Sequence, residues 1–460
     1  MRVTFFGAAG EVTGSTYLIE TDRTRVLLDF GLHQGEREAA EHNRMPARLE
    51  PSRLAGVVLT HAHIDHCGRL PMLIQGGYNG PIYATPATIE LVDILLRDTA
   101  NLMAQDAERA NRRGGESLVK PLFGMPEVEA VMKLFRQVRY TDKQEVAPGI
   151  SIRFFDAGHI LGSASVEMTV QEKGRTRVVV FSGDIGPRGL PLLHDPTLLK
   201  RADIAFLEST YGDRDHRSRP DTVAEFARIL AEARNTSGKV LIPAFAVGRT
   251  QDLIYEMVKL HCAGKFDHAA VYIDSPMATD VTQLYKNHSD LWDADARQMR
   301  LDGCGPLHFP GLRFTKTVDE SKRLNDMGNG TVVIAGSGMA TGGRIVHHFK
   351  NGLPKPENRV VIVGYQAEGT LGRRLVDGQK LVRIYGDEVA VHATIHTLGG
   401  FSAHAGQSGL MEWARAFAPK PERMVLTHGE PRARDALHAK IRSELGIDAA
   451  RPLMGDTIEF

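Results

Sequence analysis

The run Thr60-His61-Ala62-His63-Ile64-Asp65-His66 constrains this chain more than any other. It follows Leu54 to Leu59, a short apolar stretch bounded by polar residues that reads as a buried strand. His61 and His63 are two apart, so as the strand runs out both imidazoles can face one side. Asp65 and His66 lie just beyond, where a turn can carry them around a second point. These ligands are closer together than one metal usually takes from a single segment, and the spacing implies two adjacent ions. Imidazole and carboxylate suit zinc, and also manganese or iron; no set of thiolates argues for a purely structural zinc site. A solvated cap on a strand end is the bland alternative, and the density of ligands speaks against it.

A chain of 460 residues can hold two or three domains. At 42% apolar and 24% charged it reads as an ordinary globular protein. Lys plus Arg equals Asp plus Glu, 56 each, so no global positive field draws it to nucleic acid or membrane. Cys67, Cys262 and Cys304 are far apart and in no C-x-x-C pair, which favours a reducing, cytoplasmic setting without disulfides. The N-terminus reads as a strand rather than a signal peptide, and no apolar run approaches the roughly 18 residues of a membrane span.

In chain order, Val3 to Phe6, Ser15 to Glu20 and Arg25 to Asp29 read as strands of a meander that ends in Asp29, a carboxylate placed to orient a nearby ligand. Pro86 to Met103 has helical spacing; Glu108 to Gly115, with Arg109, Arg112 and Arg113, reads as a solvated loop; Met125 to Phe135 reads as a second helix. Strands Ile150 to Phe155, Arg177 to Phe181 and Ala202 to Leu207 then lead into Asp156-Ala157-Gly158-His159, Ser182-Gly183-Asp184 and Glu208-Ser209-Thr210-Tyr211. With the strand before His61, these deliver His, Asp or Glu at successive C-terminal ends, where sheet enzymes assemble their sites.

From about residue 212 to about 390 strands alternate with helices, the pattern of a parallel, doubly wound α/β unit. Helices are expected over Thr222 to Arg234 and from Arg249, and strands at Val240 to Pro243, Ala270 to Ile273, Val332 to Ala335 and Val360 to Val363. The loop Gly336 to Arg344 sits between strand and helix, so its N–H groups can face a phosphate, with Arg344 adding charge. Its glycines do not fit a dinucleotide or P-loop pattern, and a plain tight turn accounts for the segment as well. Potential ligands return at His392, His396, Phe401-Ser402-Ala403-His404 and Thr427-His428-Gly429-Glu430. The simplest account is a first domain interrupted by the α/β unit and completed by the tail.

Asp29, the His61 to His66 cluster, Gly158-His159 and Gly183-Asp184 resemble the metal-binding signature of the metallo-β-lactamase superfamily. Glu208, Phe401 to His404 and Thr427 to Glu430 are similar to the extra motifs of its β-CASP branch, whose members are nucleases; the chain looks most like bacterial relatives of the messenger-RNA 3′-end processing endonuclease. The resemblance implies an α/β fold, a metallo-β-lactamase αββα sandwich interrupted by an inserted doubly wound α/β (β-CASP) domain. The expected spans are 1–208, 209–392 for the insertion, and 393–460.

By the same resemblance one zinc is held by His61, His63 and His159 and a second by Asp65, His66 and His428, with Asp184 bridging. Two ions about 3.5 to 4 Å apart can share a hydroxide whose pKa they lower toward about 7. In such a mechanism Asp65, Glu208 and His404 are the catalytic groups, His404 protonating the leaving oxygen while Glu208 holds it. Arg249, Ser337, Gly338 and Arg344 are expected to bind substrate. His at position 428 resembles the RNA-acting members, so the partner expected is single-stranded RNA, with no membrane; a homodimer stays open. Hydrolysis of small esters or lactones leaves the insertion and the Glu208–His404 pair without a job, and a non-catalytic RNA-binding subunit does not need every ligand position filled.

Overall fold

The computed structural model describes residues 1–34, 39–112, 118–266, 270–328, 330–367 and 369–460. Two compact units emerge, one formed by 1–188, 195–215 and 404–460, the other by 189–194 and 216–403.

In the first unit the chain lays down β1 (Arg2–Phe5), β2 (Tyr17–Glu20), β3 (Arg25–Leu28), β4 (Gly56–Val58), β5 (Ile82–Ala84), β6 (Phe135–Gln137), β7 (Gln144–Ala147), β8 (Ile150–Asp156), β9 (Ala164–Glu172), β10 (Arg175–Phe181) and β11 (Ile204–Glu208). In the second unit follow β12 (Val240–Pro243), β13 (Val271–Ile273), β14 (Leu312–Phe314), β15 (Val332–Ala335), β16 (Arg359–Ile362), β17 (Leu381–Ile384), β18 (Asp387–Ala390) and β19 (Thr394–Thr397). The first unit then resumes with β20 (Arg423–Thr427) and β21 (Thr457–Glu459).

Its two sheets run β21-β1-β2-β3-β4-β5-β6 and β20-β11-β10-β9-β8-β7. Alternation decides what each face covers. Val179, Phe181, Phe206 and Val425 join Phe5, Tyr17 and Phe154 in the core between the sheets. Their neighbours Val180, Ala205, Leu207 and Leu426 face the other way, onto Leu410, Trp413, Leu437 and Ile441 of the helices Gln407–Arg415 and Pro431–Leu445. Phe181 and Phe206 stack at 4.3 Å, and fully burying each such ring contributes roughly 1.5–3 kcal/mol. β3 through β6 are mutually parallel; β10, β11 and β20 are parallel, and β8 shares their direction because β9 is antiparallel to both β8 and β10. Strand ends that carry ligands therefore gather at one edge of each sheet.

The second unit is a parallel sheet ordered β14-β13-β15-β12-β16-β19, with a β17–β18 hairpin. From β12 the chain goes out to β13 and β14 on one side, returns to β15 between β13 and β12, and then crosses to β16 and β19 on the other side, the reversal of a doubly wound sheet. Residues 393–403, expected with the C-terminal part, lie in this unit because β19 pairs in parallel with β16.

Three local expectations are corrected. The helix from Pro86 runs on to Arg112, so Arg109 and Arg112 sit on an exposed helical face, where Arg112 pairs with Glu108 and Arg109 with Asp106, while Ala107 is buried; Arg113 lies outside the described residues. The second helix stops at Met132, and Phe135 opens β6. Cys262, ending the helix Arg249–Cys262, is joined to Cys304 by a disulfide with Cα atoms 6.6 Å apart; 42 residues of separation hid a pairing that folding brings within reach. Among the described residues no helix is long and apolar enough to cross a membrane.

Candidate metal centre

Every site residue lies at or just past a strand end. β3 leads into Asp29, β4 into the histidine cluster, β8 into His159, β10 into Asp184, β11 ends on Glu208, and β20 leads into His428. Asp29 and His428 adopt positive φ, 56° and 49°, strained for residues bearing a Cβ. Gly31 explains how the first two turns come so close: a Cβ there would lie 1.6 Å from Asp65 O.

Two groups of ring nitrogens and carboxylate oxygens converge. In the first, His63 Nδ1 lies 3.2 Å from His61 Nε2 and 3.1 Å from His159 Nε2, and Asp184 Oδ2 lies 3.6 Å from each of the latter two. In the second, His66 Nε2 and His428 Nε2 are 3.2 Å apart, His428 Nε2 is 3.6 Å from Asp65 Oδ2, and Asp184 approaches His66 at 3.4 Å and His428 at 3.6 Å. Asp184 thus faces both groups. A tetrahedral zinc with bonds of about 2.0–2.1 Å holds its ligand atoms roughly 3.3 Å apart, which is the spacing found here. Asp184 Oδ1 is buried without a hydrogen-bond partner among the described residues, an orphan that a cation would satisfy. The donor set and its spacing fit metal.

Electrostatics agree. Burial pushes His61 well below the usual imidazole range and His63 down to about 4, leaving them neutral as ligands must be. Burial alone would raise Asp65, but its hydrogen bond to His428 and the surrounding imidazoles bring it down to about 2. His66 is the exception: burial lowers it, and the flanking Asp184 and Asp29 more than offset this and pull the ring upward, so a metal binding there displaces a proton.

A second layer holds these groups. Asp29 Oδ2 lies 2.8 Å from His66 Nδ1 and accepts from Ser15 Oγ and Thr60 Oγ1, while Oδ1 accepts from Thr60 N. Glu208 is fully buried: Oε1 accepts from Ile185 N and lies 3.2 Å from His404 Nδ1, and Oε2 accepts from Thr210 Oγ1. Burial lowers His404, and the Glu208 carboxylate overrides it, carrying the ring up to about 9. Thr210 Oγ1 is also 3.0 Å from His428 Nδ1, so one hydroxyl links the Glu208–His404 pair to a ligand. Ser15, Thr60 and Thr210 had no role in the sequence reading. A hydroxyl directly before His61, or two residues after Glu208, is the only signal that could have marked them.

Arg249, Ser337, Gly338 and Arg344 belong to the second unit. Arg249 is buried on Asp252 at 3.0 Å, and Arg344 donates to Asp274 at 2.6 Å and to Lys316 O. Ser337 Oγ accepts from Thr341 N and Gly342 N, closing its loop, and Gly338 sits beneath the exposed Phe245, whose ring a Cβ would meet at 2.6 Å. His392 and His396 lie at β19 in this unit, apart from the groups that could hold a metal.

Comparison with known proteins matches this anatomy. Residues 9–221 match the metallo-beta-lactamase superfamily, 250–375 the Beta-Casp domain, and 388–452 the Zn-dependent metallo-hydrolase RNA specificity domain. Ribonuclease TTHA0252 of Thermus thermophilus is 42% identical over 431 residues, 94% of this chain and 93% of that protein. The transcription termination factor FttA of Thermococcus kodakarensis is 31% identical over the full chain, covering 71% of its own length. A crystal structure of an Enterococcus faecalis protein of unknown function superposes with a TM-score of 0.56 over 99% of both chains at 12% identity, a likeness of fold alone. The chain belongs to the β-CASP ribonucleases, hydrolases of the metallo-β-lactamase superfamily.

Proposed function

We propose that this protein cleaves phosphodiester bonds of single-stranded RNA with two zinc ions, which His61, His63 and His159 would hold in one group and Asp65, His66 and His428 in the other, Asp184 facing both groups. Bound there, the ions supply Lewis acidity to the scissile phosphate and to the attacking water. The remaining work falls to side chains. Asp65 accepts the proton of the attacking water. His404 donates a proton from its ring to the departing ribose oxygen, and Glu208 fixes that ring's orientation and favours its charged form. Asp29 holds His66 at the angle its metal needs.

The observation that carries this reading is the Glu208–His404 contact beside the ligand groups: one donor atom each from Asp184, Glu208 and His404 lies within 4.8 Å of the others. Metal binding alone has no use for a buried acid that charges a neighbouring imidazole; a leaving group that departs as an alkoxide does. In the second unit, with Arg249 and Arg344 engaged by Asp252 and Asp274, we assign direct phosphate contact to the turn of Ser337 and Gly338 and a shaping role to the two arginines.

The test is cleavage of 5′- and 3′-end-labelled single-stranded RNA and matched DNA by metal-quantified protein, beside a His63→Ala Asp65→Ala control. RNA cleavage that disappears in the control is the expected result. Cleavage of neither polymer by metal-loaded protein overturns the reading, and the two labels separate internal from end-directed cutting.

A further inference from the structure

Away from the six imidazoles at the centre, two more meet a carboxylate. Glu11 lies on the loop between β1 and β2, His33 follows β3, and His42 ends the helix Ala39–His42. One donor atom from each lies within 4.8 Å of the other two. His33 Nδ1 is 3.3 Å from Glu11 Oε2, and the two rings meet edge to face with centroids 5.3 Å apart. The His33 side chain is only 1% exposed, and its Nε2 is buried with no hydrogen-bond partner among the described residues. Hydrogen bonding to Glu11 requires the proton on Nδ1 and leaves Nε2 a buried lone pair with no donor, a costly arrangement for a buried polar group.

The three positions are also held as ligands are held. Asn43 brackets the His33 backbone, its Oδ1 accepting from His33 N at 2.7 Å and its Nδ2 donating to His33 O at 2.8 Å. Buried Arg69 donates from Nη1 to His42 O. Glu11 O accepts from Gly429 N at 3.0 Å. Glycines make room for the ring: a Cβ on Gly14 would lie 2.4 Å from the His33 imidazole, and one on Gly7 would lie 2.8 Å from it.

We propose that Glu11, His33 and His42 form a separate binding site for a divalent transition-metal ion of the zinc type. Two imidazoles and a carboxylate are a donor set zinc takes readily, with water completing the coordination. The ion would tie the β1–β2 loop to the segment after β3. That loop also supports the centre, since Ala8 O accepts from His428 N at 2.7 Å, so the ion acts as a brace beneath the His428 turn. The site stands whether or not the chain cuts RNA.

The test is zinc content per chain, by elemental mass spectrometry after equilibration with Zn²⁺ and desalting, for wild type, His42→Ala and Glu11→Gln, together with anomalous diffraction above and below the zinc edge on wild-type crystals. The expected result is about one equivalent fewer in His42→Ala, retained ions at the histidine cluster, and an anomalous peak between His33 and His42. Equal zinc content in all three proteins, or a map with peaks at the cluster and none at His33, overturns the proposal. The diffraction arm needs no variant and decides the matter even if a substitution unfolds the chain.

Discussion

Asp184 and Asp274 are both buried aspartates just beyond parallel strands, β10 in one unit and β13 in the other, and they are finished in opposite ways. Asp274 is saturated by protein: it accepts from Arg344, His348 and Ser321 at 2.6, 2.7 and 2.6 Å and from Thr315. Burial would raise its pKa, and these donors bring it down instead. Asp184 is surrounded by ring nitrogens at 3.4 to 4.0 Å, too far for good hydrogen bonds, and its Oδ1 has no partner among the described residues. Burial pushes it up as well, and His428, His66 and His61 pull it well below the carboxylate range. A buried carboxylate that the protein satisfies is a structural knot; one facing lone pairs at ligand spacing is waiting for a cation.

The largest effect that tests this contrast is at Asp184. Asp184→Ala is expected to lose zinc from the cluster and to reduce RNA cleavage to background, whereas Asp274→Ala retains wild-type metal content; elemental analysis of both reads the difference, and metal retained by Asp184→Ala would erase it. Next comes His404→Ala, which touches Asp184 only at 4.0 Å. It should keep its metal and lose about 10²–10⁴-fold in turnover, the range for removing a general acid. Asp274→Ala should leave the metal centre intact and cost roughly 3–5 kcal/mol in urea denaturation, because it strands His348 and takes from Arg344 its carboxylate partner.

Much of this was legible because the chemistry is concentrated at strand ends. The cluster at His61 to His66, and acids or histidines after three further apolar runs, announce themselves in the sequence, since β-branched stretches such as Val178-Val179-Val180 admit little but a strand. Other features were written in residues that look ordinary. β9 opens Ala164-Ser165-Val166-Glu167-Met168-Thr169-Val170, and nothing in it announces that it reverses direction between β8 and β10 and so aligns their ends. Thr210 is one hydroxyl among many until folding sets it between Glu208 and His428. Arg344 looked like a free cation because its partner, Asp274, is 70 residues away. The disulfide was missed for the same reason: long-range pairs have no local signature.

Asp29 tests the layer beneath the contrast. Its carboxylate sits behind His66 rather than among the ligand groups, so Asp29→Asn should weaken zinc affinity by about 10–100-fold without abolishing it, the usual cost of losing a group that orients a metal ligand. Competition with a chromophoric chelator measures this, and an unchanged affinity would detach Asp29 from the centre.

The smallest effect concerns a third acid, intermediate between the two extremes. Asp156, ending β8, has one strong donor, Gly158 N at 2.8 Å. That single bond does not offset burial, which pushes its carboxyl up to about 7. Because this folded value lies above the unfolded carboxylate value of about 3.9, the folded chain holds the proton more tightly. The stabilisation is complete below about pH 4 and is lost as pH rises through about 7. Asp156→Asn keeps an oxygen for Gly158 N and removes the titration. Its stability relative to wild type should therefore climb between about pH 4 and 7 and level off above, in urea denaturation at a series of pH values. A difference that stays flat across that window would mean that Asp156 is ionised in the folded chain, and that one backbone donor suffices to finish a half-buried acid.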